Sequence, residues 1–308
     1  MIEQIWYIKP VKRVSFWRLL QQFFMKSIFK LFFITLIAMF GFSMAACSNG
    51  TSEDPPKTVY VAGFYDNGGV DIACYWKNGI KTDLSSADSK TNAIAVIGLD
   101  VYAAGWYENS SGDNTACYWM NGTKIELASV ESYAAAIAVV GSDVYVAGTY
   151  WNGSNWVACY WKNGAKTDLS SANSKALAIV VAGLDVYVAG YYINGSASIA
   201  CYWKNRIKTD LSSANSEALA IAVVGSNVYA AGWYDNSGVD IACYWKNGAK
   251  TDLSSAFSQA YAIAVAGSDV YAAGKYRNDS ANIACYWKNG TKIELSAANF
   301  HVRGIVVK

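Results

Sequence analysis

One histidine, His301, stands in a chain of 308 residues. That scarcity makes any Ser-His-Asp relay depend on His301 alone and leaves no His-rich metal centre, so most familiar hydrolytic chemistry is not expected. Prolines number only 3, and charged residues are 16% of the chain, yet 53% is hydrophobic and 15% aromatic. Such a composition is too apolar for disorder and calls for an extensive core. A strong charge of one sign is lacking too. The formal net charge is +2, but Lys9, Lys12, Arg13, Arg18, Lys26 and Lys30 all fall in the first 46 residues against Glu3 alone, so the remainder is mildly acidic. Nucleic acid is not an expected partner, because phosphate binding needs a basic face.

The segment from Met25 reads MKSIFKLFFITLIAMFGFSMAAC. Two lysines, an apolar run and a pair of small residues follow in the order of a secretory signal peptide, and Met25 is the expected true start. The run Leu31 to Ala46 is shorter than the ~20 residues a spanning helix needs. Met44-Ala45-Ala46-Cys47 resembles the lipobox of bacterial lipoproteins, which implies removal of residues 1–46 and lipid attachment at Cys47. Residues 47–57 (CSNGTSEDPPK) read as that cysteine followed by a flexible tether.

Residues 58–308 are one repeat. Cys-Tyr-Trp recurs at Cys74, Cys117, Cys159, Cys201, Cys243 and Cys285, spaced 43, 42, 42, 42 and 42. A fixed period in this range is the mark of a repeat architecture. In the third copy, Val144 to Tyr150 (VYVAGTY), Trp156 to Lys162 (WVACYWK), Lys166 to Leu169 (KTDL) and Ala176 to Ala182 (ALAIVVA) have strand composition. Asn163-Gly164 supplies the two positive-φ positions of a tight hairpin. Four antiparallel strands per copy and six copies predict an all-β fold, a six-bladed β-propeller. The chain enters the pattern at its second strand (Thr58-Val59-Tyr60) and ends on its first (Gly304 to Val307). The C-terminal inner strand is therefore expected to join the N-terminal blade and close the ring. An open solenoid would need atypical capping copies, and none appears.

The hairpin pattern AIAVxGxDVYVAG resembles the inner hairpin of bacterial β-propeller repeat families over Thr58 to Lys308, and more distantly kelch repeats. It lacks the Trp-Asp dipeptide of WD repeats and has Ala-Gly (Ala62-Gly63, Ala147-Gly148) where kelch repeats have a glycine doublet. The resemblance implies a fold and a binding role, without an activity.

Positions identical in all copies read as packing, and the six repeated cysteines are the first case. In a six-fold ring, equivalent third strands are separated by more than ~10 Å, beyond the ~7 Å Cα limit of a disulfide. These cysteines are therefore expected to be free, buried thiols between blades. Metal binding is disfavoured by the same separation, and Asp66, Asp71, Asp235 and Asp240 lack the regular spacing of a calcium loop. Lys166 with Asp168, Lys208 with Asp210 and Lys292 with Glu294 put alternating charge on the outermost strand, which discourages edge-to-edge association.

The loops between second and third strands differ between copies and follow aromatic residues. Tyr65, Trp106, Tyr107, Tyr150, Trp151, Tyr191, Tyr192, Trp233, Tyr234 and Tyr276 are the candidate ligand rim, apolar plates beside polar Asn, Asp and Ser of the kind that bind sugars. The functional expectation is a monomeric, lipid-anchored binding or scaffold module of the bacterial cell envelope, with a glycan or protein ligand, the membrane as its anchor, and neither cofactor nor metal. It is not expected to be an enzyme. The alternatives are a hydrolase or lyase using Asp66, Glu108 or Asp113, and a purely structural envelope protein.

Overall fold

The alternation of β-branched and aromatic residues around Asn-Gly pairs folds into strands throughout. In this computed structural model, residues 58–278, 281–295, 302 and 304–307 are described, and every paired strand among them is antiparallel to its neighbours. There is no helix among the described residues. The leader, Cys47 and the tether lie outside them.

The strands form six sheets, numbered here as blades 1 to 6: 60–83, 89–126, 132–168, 174–210, 216–252 and 258–294. Blades 2 to 6 have four strands each in sequence order, so the inner strand keeps one unpaired edge. In blade 3 the second strand is Asp143–Trp151, the third Trp156–Lys162 and the outer Ala165–Asp168; the inner strand of blade 4 is Ser174–Ala182. The inner strand starts earlier than its apolar run, because the Ser174 hydroxyl accepts a hydrogen bond from Ala158 N at 2.9 Å in the preceding blade. The outer strand begins one residue earlier than the expected Lys166, because Ala165 pairs with Lys162 directly beyond the turn.

Asn163 and Gly164 close that turn at φ +49° and +84°. The Asn163 side chain does more than tolerate the turn. Its Oδ1 accepts from Val144 N at 2.8 Å, and its Nδ2 donates to Asp143 Oδ1 at 2.8 Å, clamping the outer hairpin to the start of the second strand. Blade 4 has Asn205-Arg206 here, with Arg206 at φ +74°. A side chain in that region costs on the order of 1 kcal/mol, which glycine avoids.

Blades pack face to face on the Trp of each Cys-Tyr-Trp block. Trp203 of blade 4 lies fully buried among Tyr145, Ala147, Ala158 and Leu169 of blade 3, with Cys201 beside it. Trp119, Trp161, Trp245 and Trp287 are equally buried. The six repeated cysteines are free and buried, as expected, and act as small apolar side chains. Burial pushes their thiols up, Cys285 to about 12. A thiol reagent is accordingly expected to modify none of the six in the native protein and all six after denaturation, as read by mass spectrometry.

Blade 1 differs. Only three of its strands are paired, and Gly304 to Val307, expected as its inner strand, carry no strand pairing in the structure. The edge of Tyr60–Asp66 is correspondingly exposed, and Trp76 is only half-buried.

Candidate functional site

Two faces follow from strand direction. The turns joining inner to second strands and third to outer strands share one, the turn face. The loops joining second to third strands, and each blade to the next inner strand, share the other, the loop face.

On the loop face each described inner strand carries a bulge, where the register slips between Thr91 and Ala93 and at the matching points in blades 3 to 6. The extra residue is Asn92, Ala135, Leu177, Leu219 or Tyr261, and all five line an axial cavity of about 680 Å³. The bulge turns these side chains out of the blade stack. Asn92 is held across two blades, its Nδ2 donating to Ala134 O at 2.8 Å. The sixth position of the series is Arg303, outside the described residues.

The repeat is broken most clearly between blades 2 and 3. Trp106 and Tyr133 meet edge-on, with ring centroids 6.0 Å apart; Tyr133 and Trp156 are 5.6 Å apart, and Trp156 and Trp151 again 5.6 Å. Trp151 and Trp156 face each other across the hairpin, which brings two indoles from neighbouring strands into one surface. All four rings are half-buried. The Tyr133 hydroxyl accepts from Asn114 Nδ2 at 2.8 Å, which ties the row to the longer loop of blade 2. Beside Tyr133 and Trp156 lies a mostly apolar cavity of about 440 Å³, with Thr149 and Lys175 at its polar points. It adjoins the axial cavity, since Ala135 and Leu177 line both.

Of the rim residues expected from sequence, Trp106 and Trp151 enter this row. Tyr191 and Trp233 occupy the position of Trp106 in blades 4 and 5, cross-strand from Lys175 and Glu217. Burial pushes the Tyr191 phenol up to about 12. It pushes the Glu217 carboxyl up as well, against Lys175 and the Trp233 indole, which hold it back.

Tyr65, Tyr107, Tyr150, Tyr192, Tyr234 and Tyr276 go elsewhere: each hydroxyl donates to the acid of its own outer strand. Tyr150 reaches Asp168 Oδ2 at 3.2 Å, while Lys166 sits 3.3 Å from the ring centroid and 2.8 Å from Asp168. The same lysine, tyrosine and carboxylate recur in every blade. The charges on the outer strand therefore clamp a tyrosine as well as guard an edge.

Tyr133, Trp156, Lys175 and Leu177 were not among the rim candidates. For the inner-strand residues the signal lies in comparing copies: the second residue is Lys90, Tyr133, Lys175, Glu217 or Gln259 and the fourth Asn92, Ala135, Leu177, Leu219 or Tyr261, whereas the Ala-Ile that follows is constant.

The candidate acids are dispersed. Asp66 accepts from Gly69 N at 3.2 Å in its own turn, and Asp71 pairs with Lys90 at 2.7 Å. Asp113 lies in the loop organised by Asn109, whose Oδ1 accepts from Asp113 N at 3.0 Å. Glu108 borders a separate open cavity between blades 1 and 2. Among the described residues no three His, Cys, Asp or Glu side chains converge to hold a metal.

No protein-family model matches this chain, and no curated protein matches it in sequence. Among solved structures it is similar to TolB from Acinetobacter baumannii, with a TM-score of 0.50 and 8% identity over 78% of this chain and 64% of that one. A puromycin-hydrolyzing peptidase from Mycobacterium tuberculosis aligns with a TM-score of 0.34 and 10% identity, over 73% of this chain and 50% of that one. The chain spans less than two thirds of either structure. The likeness to TolB concerns the fold alone. With the six packed antiparallel sheets, it makes this chain a β-propeller repeat protein.

Proposed function

We propose that this protein is a lipid-anchored, exported binding module of the bacterial cell envelope, whose loop face takes a glycan across blades 2 and 3. The observation that carries the reading is the row Trp106, Tyr133, Trp156 and Trp151 beside an apolar cavity. Half-exposed rings with Asn114, Thr149 and Lys175 near them suit the apolar face and polar edges of a sugar. Met44-Ala45-Ala46-Cys47 behind an apolar run supports the export and the anchor. The role is binding without catalysis: Asp66 serves its turn, Asp71 an ion pair, and Glu108 stands apart from the aromatic row.

A glycan array probed with the full-length protein is expected to give bound sugars. Trp156→Ala should weaken that binding roughly thirty-fold, the loss of about 2 kcal/mol typical of a central aromatic, with the β-sheet circular dichroism of the native protein retained because the ring is half-exposed. A blank array and a blank pull-down from envelope extracts overturn the proposal. A protein captured on the same face instead replaces the glycan while keeping the site.

A further inference from the structure

We infer that the turn face docks on a lipid bilayer, with Leu99 and Leu184 entering it and the loop face turned away; the inference rests on the anchored reading above. The first observation is where the chain enters the propeller. Tyr60 begins a second strand, so Thr58 and Val59 just before it lie at the turn face. There Val59 N donates to Asn78 Oδ1 at 2.8 Å, and Asn78 N donates to Val59 O at 2.9 Å. Cys47 lies eleven residues before Thr58, a span of ~40 Å at most when fully extended. A lipid on that cysteine keeps this face close to the bilayer.

The second observation is what that face exposes. The turns between inner and second strands carry serine in three blades, at Ser142, Ser226 and Ser268, but leucine at Leu99 and Leu184. These leucines are 88% and 99% exposed. Ile80 and Ile207, each 74% exposed, open the outer strands of blades 1 and 4 at the same face, where other blades have Thr or Ala. Beside Ile207 stands exposed Arg206, in a backbone conformation that the other five blades give to glycine. Separate apolar tips on three blades, with a cation next to one of them, suit an anionic headgroup layer and the acyl chains beneath it. A protein interface would instead want one contiguous patch.

The test uses full-length protein purified from the cell envelope and reconstituted in vesicles of phosphatidylethanolamine and phosphatidylglycerol. Single cysteines replace Leu99, Leu184 or, on the loop face, Ser110, and each is labelled natively with a polarity-sensitive fluorophore. The six propeller cysteines are buried and stay unlabelled, and the protein without an added cysteine is treated alike to subtract any label taken by Cys47. Labels from Leu99→Cys and Leu184→Cys are expected to shift to the blue and be quenched by brominated acyl chains, while Ser110→Cys stays aqueous. Each leucine changed to serine should release the face on the order of tenfold more readily. Aqueous labels at 99 and 184 overturn the docking, and so does a shift that appears without vesicles and grows with protein concentration, which marks a contact between copies. The mass of the Cys47 peptide reports the anchor separately: a lipidated Cys47 with aqueous labels sinks only the docking, and an unmodified Cys47 with shifted labels sinks only the anchor.

Discussion

Gly190→Ala is expected to cost the fold about 3 kcal/mol, read as a lowered denaturant midpoint with an unchanged slope. The residue lies in the second strand of blade 4, where the inner strand bulges around Leu177. A Cβ placed there would come within 1.9 Å of Lys175 O and 3.2 Å of the Ala176 Cα. Both are backbone, so neither can swing aside, and relief requires moving the bulge that presents Leu177 to the axial cavity. Gly105, Gly148, Gly232 and Gly274 meet an inner-strand carbonyl in the same way. The glycine of this repeat's Ala-Gly pair is thus a requirement of the bulge.

Trp203→Ala should cost about 3–5 kcal/mol, the range for deleting a large core aromatic that leaves a cavity. Its indole has no exposed surface and joins the second and third strands of blade 3 to blade 4. Its Nε1 has no hydrogen-bond partner, nor do those of Trp119, Trp161, Trp245 and Trp287. An unpaired buried donor is itself costly. The ring is therefore kept for the apolar area it buries, and Trp203→Phe should recover much of the stability lost in the alanine variant. Calorimetric unfolding of the two variants checks both statements.

These interfaces explain how much of the molecule can be read from the chain. The strands and the buried thiols follow from a 42-residue period in which every copy says the same thing, so errors in one copy are corrected by the others. The Lys166, Tyr150 and Asp168 clamp was half-legible: the charges were visible on the outer strand, but their partner lies two strands away, where register alone brings it. The site was least legible. Trp106 and Trp151 stood out beside variable loops, whereas Tyr133 and Trp156 sit inside strands, where an aromatic residue is ordinary. Only the bulge and the Trp151 to Trp156 pairing gather them into one surface. The closing strand stands apart from both groups, inferred from the phase of the repeat and left without pairing at Gly304 to Val307.

Gly63 tests that closure most directly. Among the described residues, a Cβ on Gly63 would meet only the Trp76 side chain, at 3.1 Å, and without an inner strand beside it the backbone would tolerate the change. A closed ring runs the C-terminal strand past Gly63 as Lys175 and Ala176 run past Gly190. The measurement is the denaturant midpoint of full-length Gly63→Ala beside that of Gly190→Ala. Six closed blades predict losses of similar size in the two variants. A Gly63→Ala protein as stable as the unaltered chain, with Gly190→Ala strongly destabilised, would contradict the closed ring.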